Sequence, residues 1–200
     1  DFEEGAGGGQ LGLNHPVYGT TTIQNGVWYH AAVTYDGSRW KLYLNGNLEA
    51  DVLVGQPVNA ANNSATALAT MLTSTNTANG FFDGAMDEVR IWNTARSQAQ
   101  IMSDVNNQIS SPVSGLVARW GLNEGSGAVV GGTAGTTVTG TVTGSGYSWI
   151  TPGAPFNATF NTAPNAPTLV SPADNSTGTS TSPTLSVDVS DPDGGNLTVQ

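Results

Sequence analysis

Residues 27–52, VWYHAAVTYDGSRWKLYLNGNLEADV, carry the dipeptides Asp36-Gly37 and Asn45-Gly46 at hairpin spacing. Both pairs tolerate the positive φ angles of tight hairpin turns, so the stretch is expected to fold as three short antiparallel strands in a meander. Val33 and Tyr35 alternate with Ala32 and Thr34, and Trp40, Leu42 and Leu44 alternate with Lys41 and Tyr43. Successive side chains on a strand point to opposite faces, so each strand presents one apolar face toward a core and one wetter face.

The rest of the chain extends this all-β pattern. Residues 56–80 read as a long Asn-, Ala- and Thr-rich connection with a short strand around ATALATML, ending in the polar loop TSTNTANG. Residues 84–92, GAMDEVRIW, read as a strand with Asp87, Val89 and Ile91 on one face and Glu88 and Arg90 on the other. Ser97 followed by Gln100 is a capping-box pattern, and Ile101 with Val105 makes an apolar i, i+4 pair, so one or two turns of helix are expected there. Residues 115–122, GLVARWGL, place Leu116, Ala118, Trp120 and Leu122 on one side of a further strand, and TTVTGTVTG suggests one thin strand more. A Pro-, Ser- and Thr-rich linker follows at 157–167, leading into a second strand-bearing unit at 168–200 that stops in mid-strand.

Composition narrows the function. The formal net charge is -10 with 5 Lys and Arg in all, so the clustered cations that nucleic acid needs are missing. No apolar run is long enough to cross a bilayer, so no membrane insertion is expected. With 0 cysteines, neither a disulfide framework nor a thiolate metal site can form. An acidic, lysine-poor, Thr/Gly/Asn-rich chain of this kind suits an extracellular or bacterial cell-surface location.

The ordered segments VWYHAAVTYDGSRWKLYLNGNLEA and FFDGAMDEVRIWNTARSQAQI resemble the concanavalin A-like, laminin-G-like jelly-roll domains of bacterial extracellular proteins. LVARWGLNEGSGAVVGGTAGTTVTGTV resembles a further family segment that either opens a domain or follows one as an accessory strand pair. Residues 164–200 resemble the first strands of an immunoglobulin-like or fibronectin-type module. The resemblance implies an antiparallel jelly-roll sandwich over residues 1–156, lacking its N-terminal strands, with 115–150 as accessory strands and tandem domains on either side. It also implies non-catalytic carbohydrate binding or adhesion, the partner being a glycan or another cell-surface or extracellular-matrix ligand. A structural spacer, or an accessory domain of an extracellular hydrolase, are the alternatives.

Three groups of residues carry candidate chemistry. Retaining glycosidases need two carboxylates roughly 5 Å apart on one face, and DEVRIW has no second acid at i+2 or i+4. No catalytic residue is assigned, and Glu88 with Arg90 is expected to be an ion pair on a wet sheet face. Asp87 shares a face with Val89 and Ile91, where a carboxylate requires a hydrogen-bonding or metal partner. The resemblance implies a structural Ca2+ held by such an aspartate and a glycine-rich loop, with Asp87 as the metal ligand. The corresponding loop here reads GGTAGT, with Gly132 in place of the family's aspartate and Thr136 in place of its asparagine. Sugars are gripped through aromatic platforms, and Tyr147 and Trp149, in the loop GSGYSWITPG, are the carbohydrate-binding candidates. Trp28, Trp40, Trp92 and Trp120 are expected in the core.

Overall fold

The computed structural model describes residues 17–55, 66–72, 76–157, 165–178 and 180–190. The chain divides into two units, residues 1–158 and 159–200. In the first, β1 (Ala31–Tyr35), β2 (Arg39–Leu44) and β3 (Asn47–Leu53) form a three-stranded antiparallel sheet in the order β1-β2-β3. The β2–β3 turn has Asn45 at φ 47° and Gly46 at φ 78°, the pair of positive angles that the Asn-Gly dipeptide predicts. At the β1–β2 turn the Asp36 carboxylate accepts the N–H groups of Ser38 and Arg39 at 2.9 and 2.7 Å. The register pairs Ala31 with Leu44, Val33 with Leu42 and Tyr35 with Trp40, so the predicted apolar alternation is in phase across both strands. The most buried side chain of β2 is nevertheless Tyr43, from the opposite face.

A strap at residues 17–21 is tied to this sheet through one side chain. The Glu49 carboxylate on β3 accepts the backbone N–H and hydroxyl of both Thr20 and Thr21, at 2.6 to 2.9 Å. These four donors hold the Glu49 carboxyl down at about 2.

β4 (Thr70–Leu72) and β5 (Ala78–Phe81) form a hairpin, so the last residues of the expected polar loop are strand instead. β6 (Val89–Trp92) pairs with β7 (Leu116–Trp120), Val89 lying opposite Trp120 and Ile91 opposite Ala118. The segment LVARW is therefore the antiparallel neighbour of β6 within the first unit. β6 is shorter than the expected 84–92 because Glu88 sits at φ 52°, outside the extended region a strand requires. Between β6 and β7, α1 (Gln98–Val105) opens with the predicted reciprocal cap of Ser97 and Gln100 and buries Ile101 and Val105.

β8 (Val129–Val130) and β9 (Gly140–Thr141) complete this unit, β9 falling inside the expected thin strand. Ala118, Trp120 and Val130 form a buried cluster against which Val89, Leu122, Val142 and Trp149 pack. The Trp120 indole N–H donates to the Val138 carbonyl at 2.8 Å, which satisfies its one polar group inside the core. Of the four tryptophans expected in the core, Trp120 is buried, while Trp28, Trp40 and Trp92 are half-buried.

In the second unit β10 (Thr168–Ser171) and β11 (Ser186–Asp188) form one antiparallel pair whose residues are all exposed. Among the described residues the regular elements are thus antiparallel strands apart from one short helix, as expected for a concanavalin A-like β-sandwich.

Candidate functional site

Asp87 and Glu88 are adjacent in sequence but serve different partners. The Glu88 carboxylate meets Arg90 Nη2 at 3.0 Å and Nε at 3.3 Å, and it also receives Arg119 from β7 through Nε at 3.3 Å and through Nη2. Side-chain exposures are 7% for Glu88, 8% for Arg90 and 6% for Arg119, so the ion pair is buried rather than spread over a wet face. The cause is α1: Arg90 donates to the carbonyls of Asp104, at 2.9 Å, and Asn107, which close the helix, and this draws its guanidinium beneath the helix end. Cationic donors at a helix C-terminus satisfy carbonyls that have no partner within the helix. Across the same end, Arg96 lies over the Trp92 ring at 4.2 Å from its centroid and pairs with Asp104.

Arg119 is further fastened to the loop after β8, donating to the Thr133 hydroxyl, while its backbone carbonyl accepts from Thr133 N–H at 2.9 Å. Two guanidinium groups thus share one buried carboxylate. Glu88 is therefore built as an electrostatic rivet joining β6, β7, α1 and the 133–136 loop.

Asp87 Oδ2 accepts the backbone N–H of Ala154 at 2.7 Å, and a Cβ on Gly153 would collide with that oxygen. Its other oxygen, Oδ1, is buried without a hydrogen-bond partner. The carboxylate thus clasps the 153–154 backbone against β6. It also lies within the electrostatic reach of Arg90 and Arg119. Calcium requires six to eight oxygen donors around it. Here one Asp87 oxygen is committed to an N–H and two guanidinium groups lie near, and no three His, Cys, Asp or Glu side chains cluster to hold a metal among the described residues. At Gly132 even a Cβ would press on the Thr136 and Val138 carbonyl oxygens, so the loop has no room for the family's aspartate in this conformation. Among the described residues this donor set falls short of the six to eight oxygens that calcium requires.

Tyr147 and Trp149 converge on a single acceptor. The Tyr147 hydroxyl and the Trp149 indole N–H both donate to the Gly127 carbonyl, at 3.3 and 3.1 Å. Trp149 packs against the Ala118–Trp120–Val130 cluster, whereas Tyr147 remains 46% exposed. One ring is seated on the core, the other is presented to solvent, and a shared carbonyl fixes both. Sequence reasoning pointed to these two aromatics through their loop composition, but the acceptor that orders them lies in another loop with no recognisable signal of its own.

His30 completes the polar inventory near β1. Its backbone N–H donates to the Asn45 side chain at 2.8 Å, and its ring Nδ1 is buried with no hydrogen-bond partner. Burial holds the imidazole below its ordinary value, Arg90 adding to that shift and Asp104 opposing it. His15 lies outside the described residues. Among the described residues no helix is long and apolar enough to cross a membrane.

Residues 4–102 match the family model of the concanavalin A-like lectin/glucanases superfamily. That match ends before β7 and does not reach the C-terminal unit. Among solved structures, the crystal structure of a "putative carbohydrate binding protein" from Bacteroides ovatus is similar at 24% identity and a TM-score of 0.46. The similarity covers 68% of this chain and 44% of that protein, so the chain spans under half the length of the structure it matches. A comparison with curated proteins finds no match.

Proposed function

We propose that the chain is a non-catalytic carbohydrate-binding module of a larger exported bacterial protein, with Tyr147 and Trp149 as its binding residues. The observation that carries this reading is the pair of hydrogen bonds that bring both rings onto the Gly127 carbonyl. A pyranose ring offers one apolar face and a rim of hydroxyls, and an exposed, pre-ordered aromatic takes up that face at little entropic cost. Neutral Gly, Ser and Thr residues fill the sequence around the pair, which suits a hydroxylated ligand better than an ionic one.

Between the two activities named in the superfamily's description, lectin and glucanase, the carboxylates favour the first. Glycoside hydrolysis needs a proton-donating acid facing a free carboxylate. Glu88 is held by two arginines and Asp104 by Arg96, and Asp87 is tied through one of its two oxygens to the Ala154 amide. The chain's location at the cell surface or outside the cell, and the immunoglobulin-like character of residues 168–200, belong to the same reading.

The test is a glycan array probed with the chain and with Tyr147→Ala. Binding weakened by about tenfold or more in the variant is expected for an exposed aromatic anchor. Equal binding by both proteins would remove Tyr147 from the site.

A further inference from the structure

The carbonyl that orders Tyr147 and Trp149 belongs to a glycine in a stretch with little packing of its own. Residues 124–131 read EGSGAVVG, and every residue from Glu124 to Val129 is exposed. Gly125 and Gly127 sit at φ 73° and 80°, angles that only glycine adopts readily. A Cβ built on either would meet no atom within 4 Å among the described residues, so no neighbour presses on the chain there. Glycine backbone rotates at little steric cost, and an acceptor carried on it is fixed only by bonds made nearby.

Two such bonds bracket Gly127. The Val142 N–H donates to the Ala128 carbonyl at 2.8 Å, which fixes the limb that runs into β8. The Glu124 Oε1 accepts the Gly131 N–H at 3.0 Å, which ties the limb before Gly127 to the end of β8. Gly127 lies inside the loop that this second bond closes. Arg119 is within electrostatic reach of Glu124, but its guanidinium is already engaged by Glu88 and the Thr133 hydroxyl. Among the described residues Glu124 enters no ion pair that would draw it off the Gly131 amide.

We infer that Glu124 is a positioning residue of the aromatic pair. Its carboxylate closes the 124–131 loop and so holds the Gly127 carbonyl where the Tyr147 hydroxyl and the Trp149 indole N–H reach it, at 3.3 and 3.1 Å. The bond to Gly131 needs an acceptor oxygen and not a charge, so an amide of the same length serves equally. The bearing of this role on glycan binding rests on the proposed function, whereas the ordering of the rings is measurable without any ligand.

The first readout is fluorine NMR of the full chain labelled with 3-fluorotyrosine, the Tyr147 resonance being the one missing from Tyr147→Phe. Glu124→Ala, at an exposed position, is expected to shift that resonance toward the free amino acid while leaving the other tyrosines in place. Glu124→Gln, which keeps an oxygen for the Gly131 N–H, is expected to restore it. The second readout is an array of neutral oligosaccharides. Loss of one hydrogen bond predicts binding about three- to tenfold weaker in Glu124→Ala, with Glu124→Gln within about twofold of the unaltered chain. In a Tyr147→Phe background, which lacks the hydroxyl, Glu124→Ala is expected to cost less, because the two side chains act through one carbonyl.

A Tyr147 resonance that Glu124→Ala leaves unmoved would overturn the inference. Glu124→Gln as damaging as Glu124→Ala would overturn it as well, and would point to direct contact between the carboxylate and the ligand. Equal costs of Glu124→Ala with and without the Tyr147 hydroxyl would do the same for the shared carbonyl. A chain that binds no glycan, yet whose Tyr147 resonance responds to Glu124→Ala and recovers in Glu124→Gln, would uphold the positioning role and reject the glycan reading alone.

Discussion

Replacing Glu88 with glutamine keeps the shape of the side chain but removes the negative charge that Arg90 and Arg119 both contact. Its carboxylate lies 3.0 Å from Arg90 Nη2 and 3.3 Å from Arg119 Nε, and all three side chains are less than a tenth exposed. Water therefore cannot take over the lost contacts, and two guanidinium groups remain buried side by side. Removing one member of a buried, hydrogen-bonded pair costs about 3–5 kcal/mol, a large share of the roughly 5–15 kcal/mol that holds a domain of ordinary size. Arg119→Met is expected to cost less, because Arg90 still balances Glu88. Asp51→Asn, which cuts the exposed Arg39 pair at 2.7 Å, is expected to cost far less, because solvent screens that pair. Urea unfolding followed by tryptophan fluorescence measures all three, provided the slopes agree. A Glu88→Gln loss no larger than that of the Asp51 control would refute the buried-rivet account.

Three shorter predictions follow from the same geometry. The Glu49 carboxyl is depressed to about 2 from the ordinary glutamate value of 4.5, so its contribution to stability is present above pH 4.5 and is lost as pH falls toward 2; acid unfolding should be less steep over that window in Glu49→Gln. Ser97→Ala removes the hydroxyl that accepts the Gln100 N–H at 3.3 Å and should destabilise the first unit by about 1 kcal/mol in the same urea assay; no change would mean the cap is replaced by water. Because the donor set at Asp87 falls short for calcium among the described residues, thermal midpoints in calcium and in chelator should coincide, and a rise with calcium would show that donors outside the described residues complete a site.

Local chemistry was the part of the fold most open to reading in advance. Asn45-Gly46 specifies its turn because few other residues accept two successive positive φ angles, and Ser97 with Gln100 caps a helix using atoms three residues apart. Interactions that span the chain were less accessible. Alternation put Glu88 and Arg90 together on one face, as found, but it could not tell that α1 and the loop carrying Thr133 would cover that face. Nor did the pattern foresee the left-handed backbone at Glu88, which shortens β6 by breaking the alternation at its start.

The candidate site divides in the same way. Tyr147 and Trp149 were recognisable as loop aromatics, but the carbonyl of Gly127, 20 and 22 residues away, is what turns them into a fixed pair. Asp87 was recognisable as a carboxylate needing a partner. That partner is a backbone N–H at Ala154, 67 residues downstream, where no side-chain pattern marks it.

The measurement that bears most directly on the proposed function is glycan binding by the chain, run in calcium and again in chelator, alongside Tyr147→Ala. The account predicts saturable binding of a neutral glycan, unchanged by chelator and weakened by about tenfold or more in the variant. Failure of the folded chain to bind any glycan, or binding that Tyr147→Ala leaves intact, would contradict it.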